Sequence, residues 1–454
     1  MSLIKSISGI RGTIGGRPGE NLTPIDIVKF SAAYGTWIKE RNKSKNKDVI
    51  VIGRDGRISG EMVKKLVMST LCALGIDVID TDFSTTPTVE MAIGFLKADG
   101  GIIITASHNS KEWNALKLLN EKGEFISAKD GSKILELAEK EDFSFAEVGS
   151  LGTITRDETT VNYTLVDVKA IKAAGFTIVA DVVNSTGAMA LPKLFKALGV
   201  KKYSFLFDEI NGKFAHNPEP LPENLTALSR EVLAQNAHLG IAVDPDVDRL
   251  CFVCEDGSMF GEEYTLVAVS DYVLSHRKGN TVSNMSSTKA LREITVKHGG
   301  AYNPSAVGEV NVVQKMKDTH AVIGGEGNGG IIVPDLHYGR DALIGIALFL
   351  THLAKSKKSI KQLRNTYPDY FISKNKITLE KNIDVNEVFG KIKEKYKSHP
   401  SNTEDGLKIE FENDWVHLRT SNTEPIIRIY SESNLETTAN NIAKKLVKDI
   451  QELI

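Results

Sequence analysis

Apolar residues fall into short runs and helical stripes that alternate along most of this chain. Thr23-Pro24 is followed by Ile25, Val28, Phe30, Ala32 and Trp37, which predicts an amphipathic helix with Thr23 as N-cap and Pro24 at its first position. Residues 48–53 form an apolar run that predicts a strand, ending in the loop Gly53-Arg-Asp-Gly-Arg57. A helix over 60–74 and strands over 76–80 and 100–105 follow. The same order returns with strands at 177–181 and 239–243 on either side of helical sequence near 191–198, and again with a strand at 320–324. Strands alternating with helices predict parallel α/β units. The last segment differs. Strands over 374–379 and 408–412 precede alternating patterns at 414–420 and 426–430. A helix over 435–454 then carries Leu435, Ala439, Ile442, Leu446, Val447, Ile450 and Leu453 on its apolar stripe. This part reads as a mainly antiparallel α+β domain. Joints at 143–152, 256–261 and 366–373 divide the chain into domains 1–150, 151–256, 257–369 and 370–454.

Composition narrows the class. A chain of 454 residues exceeds what one hydrophobic core usually supports, which agrees with several domains. A formal net charge of -2 gives no general attraction to nucleic acid or an acidic membrane, so an anionic ligand must be held by local basic groups. Three Cys imply no disulfide framework, and a reducing cytoplasm fits. Cys251 and Cys254 are three apart in a strand pattern and so face opposite sides, which argues against a paired site. The first residues lack the apolar core of a signal peptide, and the best apolar run, 342–350, is too short to span a bilayer. The expectation is a cytoplasmic protein with neither membrane nor nucleic acid as partner. The basic stretch 39–47 reads as a solvated helix end and loop.

Four short loops hold the candidate chemistry, and three of them follow directly on predicted strands, where open parallel sheets bind ligands. Thr105-Ala-Ser-His-Asn-Ser110 presents the Ser107 hydroxyl at a sheet edge; taken alone, an ordinary polar turn is the stronger reading. His108 is adjacent, but no G-x-S-x-G elbow is present. In Asp244-Pro-Asp-Val-Asp-Arg249, an extended loop would point Asp244, Asp246 and Asp248 the same way. Carboxylates so close repel unless a cation sits among them, and magnesium suits such hard oxygens. Arg249 at the sixth position excludes an EF-hand. Gly325-Glu-Gly-Asn-Gly-Gly330 is weak alone, yet Glu326 and Asn328 suit sugar hydroxyls. Arg419-Thr-Ser-Asn-Thr-Glu-Pro425, followed by Arg428, combines guanidinium, hydroxyls and turn amides into an anion cradle. A plain turn between strands competes with that reading. Lone basic residues such as Arg11 and Lys117 are usually surface charges. Lys117, ten residues past Ser107, would fold back toward it; near a cation and other arginines its pKa would fall and it would shuttle protons. Together the loops suggest phosphoryl transfer on a phosphorylated sugar.

The ordered set of four loops resembles the α-D-phosphohexomutase family over essentially the whole chain. The resemblance implies three related α/β domains with mixed sheets and a C-terminal α+β domain around a central cleft. It implies that Ser107 is the phosphorylated residue. Asp244, Asp246 and Asp248 would hold magnesium together with phospho-Ser107. Arg249 and Arg11 would touch the transferring phosphate, Lys117 would be the general acid/base, and His108 is a further candidate beside the serine. Glu326 and Asn328 would bind sugar hydroxyls, while Arg419, Ser421, Asn422 and Thr423, with Arg428 nearby, would hold the non-reacting phosphate. Pro245 and Val247 replace small residues of many members, Asn328 stands for a frequent Ser, Gly330 for a frequent His and Ala115 for a frequent Gly. None removes a charged catalytic group.

The resemblance implies that phosphate moves between the 6 and 1 positions through a sugar 1,6-bisphosphate, which is both intermediate and activator. Glucosamine phosphate is favoured as substrate from chain length and the Ser8-Gly-Ile-Arg-Gly12 pattern; mannose and glucose phosphates are the alternative. A metal-dependent sugar phosphatase and a non-catalytic sugar-phosphate sensor are the rival classes. A monomer or a two-fold dimer is the default assembly.

Overall fold

The runs Val49–Arg54, Gly100–Ile104, Thr177–Asp181 and Leu239–Val243 are apolar on both faces, and each lies buried inside a sheet. That is the signature of parallel strands covered by helices on both sides. The structure, a computed structural model, describes residues 2–6, 9–42, 47–156, 165–379, 383–420 and 426–453. It divides into two compact units, 1–265 with 329–361, and 266–328 with 362–454.

The first unit holds two mixed sheets. In the larger, Val49–Arg54 runs parallel to both Gly100–Ile104 and Asp77–Phe83. Trp113–Leu119 then lies antiparallel between Gly100–Ile104 and Gly9–Thr13. This antiparallel edge brings Arg11 opposite Ala115 and Lys117 opposite Ile103, so both basic residues project from one face. Ile154–Arg156 adds to the far edge, so this sheet runs past the expected joint at 143–152. In the smaller sheet Leu239–Val243 is parallel to Thr177–Asp181 and forms a hairpin with Leu250–Cys254. Cys251 and Cys254 are buried free thiols within that hairpin.

The first helix, Pro24–Arg41, starts where the cap predicts. Thr23 and Asp26 form a capping box, which satisfies two otherwise unpaired N–H groups. Its buried face is Ile27, Phe30, Tyr34, Trp37 and Ile38, while Ile25 and Val28, expected on the apolar stripe, are exposed. The helix ends at Arg41, whose guanidinium lies over Trp37; residues 43–46 of the basic stretch lie outside the described residues.

The second unit contains the parallel strands Tyr302–Ser305, Asn280–Asn284 and Ala321–Glu326. It also contains an antiparallel five-stranded sheet ordered Phe371–Thr378, Ile426–Ser433, Trp415–Thr420, Leu407–Glu410, Ser401–Asn402. The helices Val385–Lys395 and Glu436–Gln451 cover it, burying Phe389, Ile392, Leu446 and Ile450. Leu435, expected on the final apolar stripe, is the exposed N-cap instead. Among the described residues no helix is long and apolar enough to cross a membrane.

Candidate active site

Gly100–Ile104 delivers Thr105 and Ser107 to the carboxyl end of the larger sheet. Ser107 sits at φ +49°, a left-handed conformation that serine rarely adopts. Thr105 Oγ1 accepts the Ser107 N–H at 2.9 Å and donates to Asp55 at 2.6 Å, which fixes the turn. Ser107 Oγ donates to Asp244 Oδ2 at 2.7 Å. His108 Nδ1 is 3.4 Å from the same hydroxyl. Burial, then the charges of Arg249 and Arg11, push its pKa well below the usual imidazole range, so the ring is neutral.

The hairpin between Leu239–Val243 and Leu250–Cys254 carries the acidic loop. The expectation of an extended loop with alternating side chains is corrected here. The backbone turns, with Val247 at φ +62°, and Asp244 Oδ1 accepts the N–H groups of both Asp248 and Arg249 at 3.1 Å. Convergence therefore comes from a strained turn rather than from strand alternation. Candidate ligand oxygens of Asp244, Asp246 and Asp248 lie within 4.8 Å of one another, and all three residues are buried. Asp246 Oδ1 and Asp248 Oδ1 are buried with no hydrogen-bond partner. Orphaned oxygens in a buried triplet of carboxylates are what a hard divalent cation requires, so the donor set fits magnesium.

Cations close the site. Lys117 Nζ is 2.6 Å from Asp246 and 3.3 Å from Asp248. Burial opposes its charge, but the two carboxylates outweigh burial and raise its pKa above the ordinary lysine value. The expected lowering of the Lys117 pKa is thus reversed, because its nearest partners are anions. Arg249 Nη1 pairs with Glu219 at 2.8 Å, and Arg11 Nη1 donates to Asn109 at 2.8 Å. Burial, then repulsion from Arg249, lowers the Arg11 pKa, with Arg57 repelling it too. Guanidinium groups crowded into a buried corner call for an anion. Asp244 is pushed up by burial and by Asp248 and Asp246. In Asp248 burial is outweighed by Arg340, Lys117 and Arg249, which hold its carboxyl low.

Several contributors had no sequence signal. Arg340 Nη2 donates to Asp248 at 2.7 Å, and Thr86 Oγ1 donates to Asp246 at 2.6 Å from the first turn of Thr86–Leu96. Both come from chain segments far from the acidic loop, so spacing could not reveal them. Glu219 and Arg57 are of the same kind. The loop Gly53-Arg-Asp-Gly-Arg57 was visible as a strand end, but the burial of Arg57 was not.

In the second unit, Glu326 ends the strand Ala321–Glu326, and its Oε1 accepts from Asn284 Nδ2 at 2.8 Å and from Gly308 N at 3.1 Å. Asn328 is half-buried two residues on. Arg419 and Arg428 face each other across adjacent strands, and Arg419 Nε is 3.2 Å from Asp405. Like charges directly opposite are unfavourable unless an anion joins them. Ser421, Asn422 and Thr423 lie outside the described residues. His417, two residues before Arg419, is held between Ser286 and the Asp405 carbonyl. Its pKa falls to about 4, chiefly by burial.

Family models of phosphoglucomutase/phosphomannomutase match residues 3–145 (α/β/α domain I), 158–257 (domain II), 261–370 (domain III) and 375–449 (C-terminal domain). A phosphoglucomutase/phosphomannomutase of Thermococcus kodakarensis is 35% identical, over 98% of both chains. A phosphoglucosamine/phosphogalactosamine mutase of Sulfurisphaera tokodaii is 33% identical, over 99% of this chain and 100% of that protein. The crystal structure of a phosphoglucomutase/phosphomannomutase family protein from Burkholderia thailandensis superposes with a TM-score of 0.83 at 25% identity, covering 99% and 97% of the two chains.

Proposed function

The chain belongs to the α-D-phosphohexomutase family, and from that membership we propose that Ser107 is its phosphoserine and glucosamine phosphate its preferred substrate. It is an isomerase that moves phosphate on a phosphorylated sugar. The observation that carries the site assignment is the Ser107 hydroxyl bonded at 2.7 Å to Asp244, within a buried triplet of carboxylates.

Ser107 would carry the phosphoryl group to and from the sugar through a sugar 1,6-bisphosphate. Asp244, Asp246 and Asp248 with phospho-Ser107 would hold magnesium, whose charge offsets that of the transferring oxygens. Arg249 and Arg11 supply further positive charge to the same oxygens, the term from which phosphoryl transfer gains most. Lys117, kept charged, is equipped first as an acid. It protonates the sugar oxygen released when the phosphoryl group passes to Ser107; by microscopic reversibility its neutral form accepts the hydroxyl proton in the return step. His108, neutral beside the serine, orients rather than donates charge. In the second unit Glu326 and Asn328 are assigned to sugar hydroxyls. Arg419, Ser421, Asn422, Thr423 and Arg428 are assigned to the phosphate that does not react.

Relatives carry two kinds of name, so substrate preference is tested directly. Glucosamine, mannose and glucose phosphates assayed side by side should show the highest kcat/KM for glucosamine phosphate. Preference for glucose or mannose phosphate would move the chain to the phosphoglucomutase/phosphomannomutase reading. Ser107→Ala should abolish isomerisation while retaining binding.

A further inference from the structure

Arg57 is a fully buried arginine beneath the Ser107 loop, and every one of its side-chain N–H groups has an acceptor. Nε donates to Asp55 Oδ2 at 3.0 Å. Nη1 donates to the carbonyls of Ser110 at 2.7 Å and Trp113 at 2.9 Å. Nη2 donates to the carbonyls of Ser107 at 2.5 Å and Asn109 at 2.7 Å. One planar fork thus gathers four main-chain oxygens of a single loop, including that of Ser107 itself. We propose that Arg57 is the positioning residue that sets the attitude of Ser107 for phosphoryl transfer.

The left-handed backbone of Ser107 is strained for a residue that carries a Cβ and persists only if its surroundings over-determine it. Arg57 supplies that restraint from below, and Asp55 supplies it through Thr105. The clamp is also tied to the acidic loop. Gly56 N donates to Ser185 Oγ at 2.9 Å, and Ser185 Oγ donates to the Pro245 carbonyl at 2.7 Å. Phe214 lies 5.1 Å from the guanidinium carbon. Gly212, at φ +65°, allows its segment to approach closely; a Cβ there would stand 2.4 Å from the Gly56 carbonyl oxygen and 2.8 Å from Arg57 Cα. The hydroxyl and the Asp244 carboxylate it meets are therefore held in one register by groups that never touch substrate. A lysine keeps the charge but has three donors and no fork, so it cannot gather the same oxygens.

The inference rests on reading Ser107 as the phosphoryl acceptor, and the test separates the two. Wild type, Ser107→Ala, Arg57→Lys and Gly212→Ala are assayed for kcat and KM alongside thermal melting. Arg57→Lys should fold, keep KM within about threefold and lose about a hundredfold in kcat, the effect of a misplaced nucleophile. Gly212→Ala, which displaces the clamp without altering it, should show the same split in smaller degree and decides the matter if Arg57→Lys does not fold. A folded Arg57→Lys with kcat near wild type overturns the proposal. So does a Gly212→Ala enzyme with unchanged kcat when Arg57→Lys fails to fold. Isomerisation by Ser107→Ala would instead overturn the reading of the serine.

Discussion

Ser107 and Val247 share an uncommon backbone geometry, and each stands where a reactive group is presented. For a β-branched residue such a φ is a true outlier. At Val247 it turns the loop so that three carboxylates meet, and strain of this kind collects at functional sites. Arg340 acts at the same spot through its 2.7 Å bond to Asp248. Arg340→Met should lower kcat/KM by roughly ten- to a hundredfold, the worth of one charged hydrogen bond at a buried site; steady-state assay of the folded variant checks this. A second buried group governs stability instead. His337 lies 3.2 Å from both Glu90 and Asp341. Burial opposes its charge, but the hydrogen bond to Asp341 and the adjacent Glu90 carboxylate outweigh burial and hold the imidazolium up to about 10. A raised histidine pKa adds stability that is complete below the unfolded value near 6.5. That stability is lost as pH rises toward 10. Melting temperature should therefore fall between pH 7 and 10, and His337→Gln should start lower and flatten the slope. Equal slopes would refute the coupling.

At the scale of elements, the hairpin bearing the acidic loop is the unit proposed to hold magnesium. Magnesium should raise the melting temperature of the wild type, and Asp246→Asn should remove most of that rise without unfolding the protein. The strands that feed this loop and the Ser107 loop were legible because buried parallel strands are continuous apolar runs. Trp113–Leu119 was not legible as a strand, since Asn114 and Lys117 interrupt its apolar pattern. Its antiparallel pairing is nevertheless what brings Lys117 to the acidic loop. The same gap explains the reversed expectation for the Lys117 pKa, whose partners lie well over a hundred residues away in sequence. Arg57 and Arg340 were illegible for a related reason. A buried arginine looks like any surface arginine until its acceptors are known.

For the whole molecule, likeness in sequence and fold extends across nearly the full chain, which fixes the reaction class but not the sugar. Of the residues assigned to sugar and distal phosphate, the described ones, Glu326, Asn328, Arg419 and Arg428, belong to the second unit, and those assigned to chemistry belong to the first. The order of the four loops, read through the family resemblance, singled out the first unit's serine and carboxylates, which the structure brings together; Ser107 alone reads as an ordinary polar turn. Sugar specificity is broader chemistry, shared among amides, carboxylates and backbone, so residue type alone does not resolve it.

The most direct test follows the phosphate itself. Dephosphorylated protein is treated with magnesium and a hexose 1,6-bisphosphate, then digested and analysed by mass spectrometry. One phosphate should appear on the peptide containing Ser107, pass to added sugar monophosphate, and be absent from Ser107→Ala. Turnover with no phosphopeptide, or with phosphate on another residue, would contradict the account.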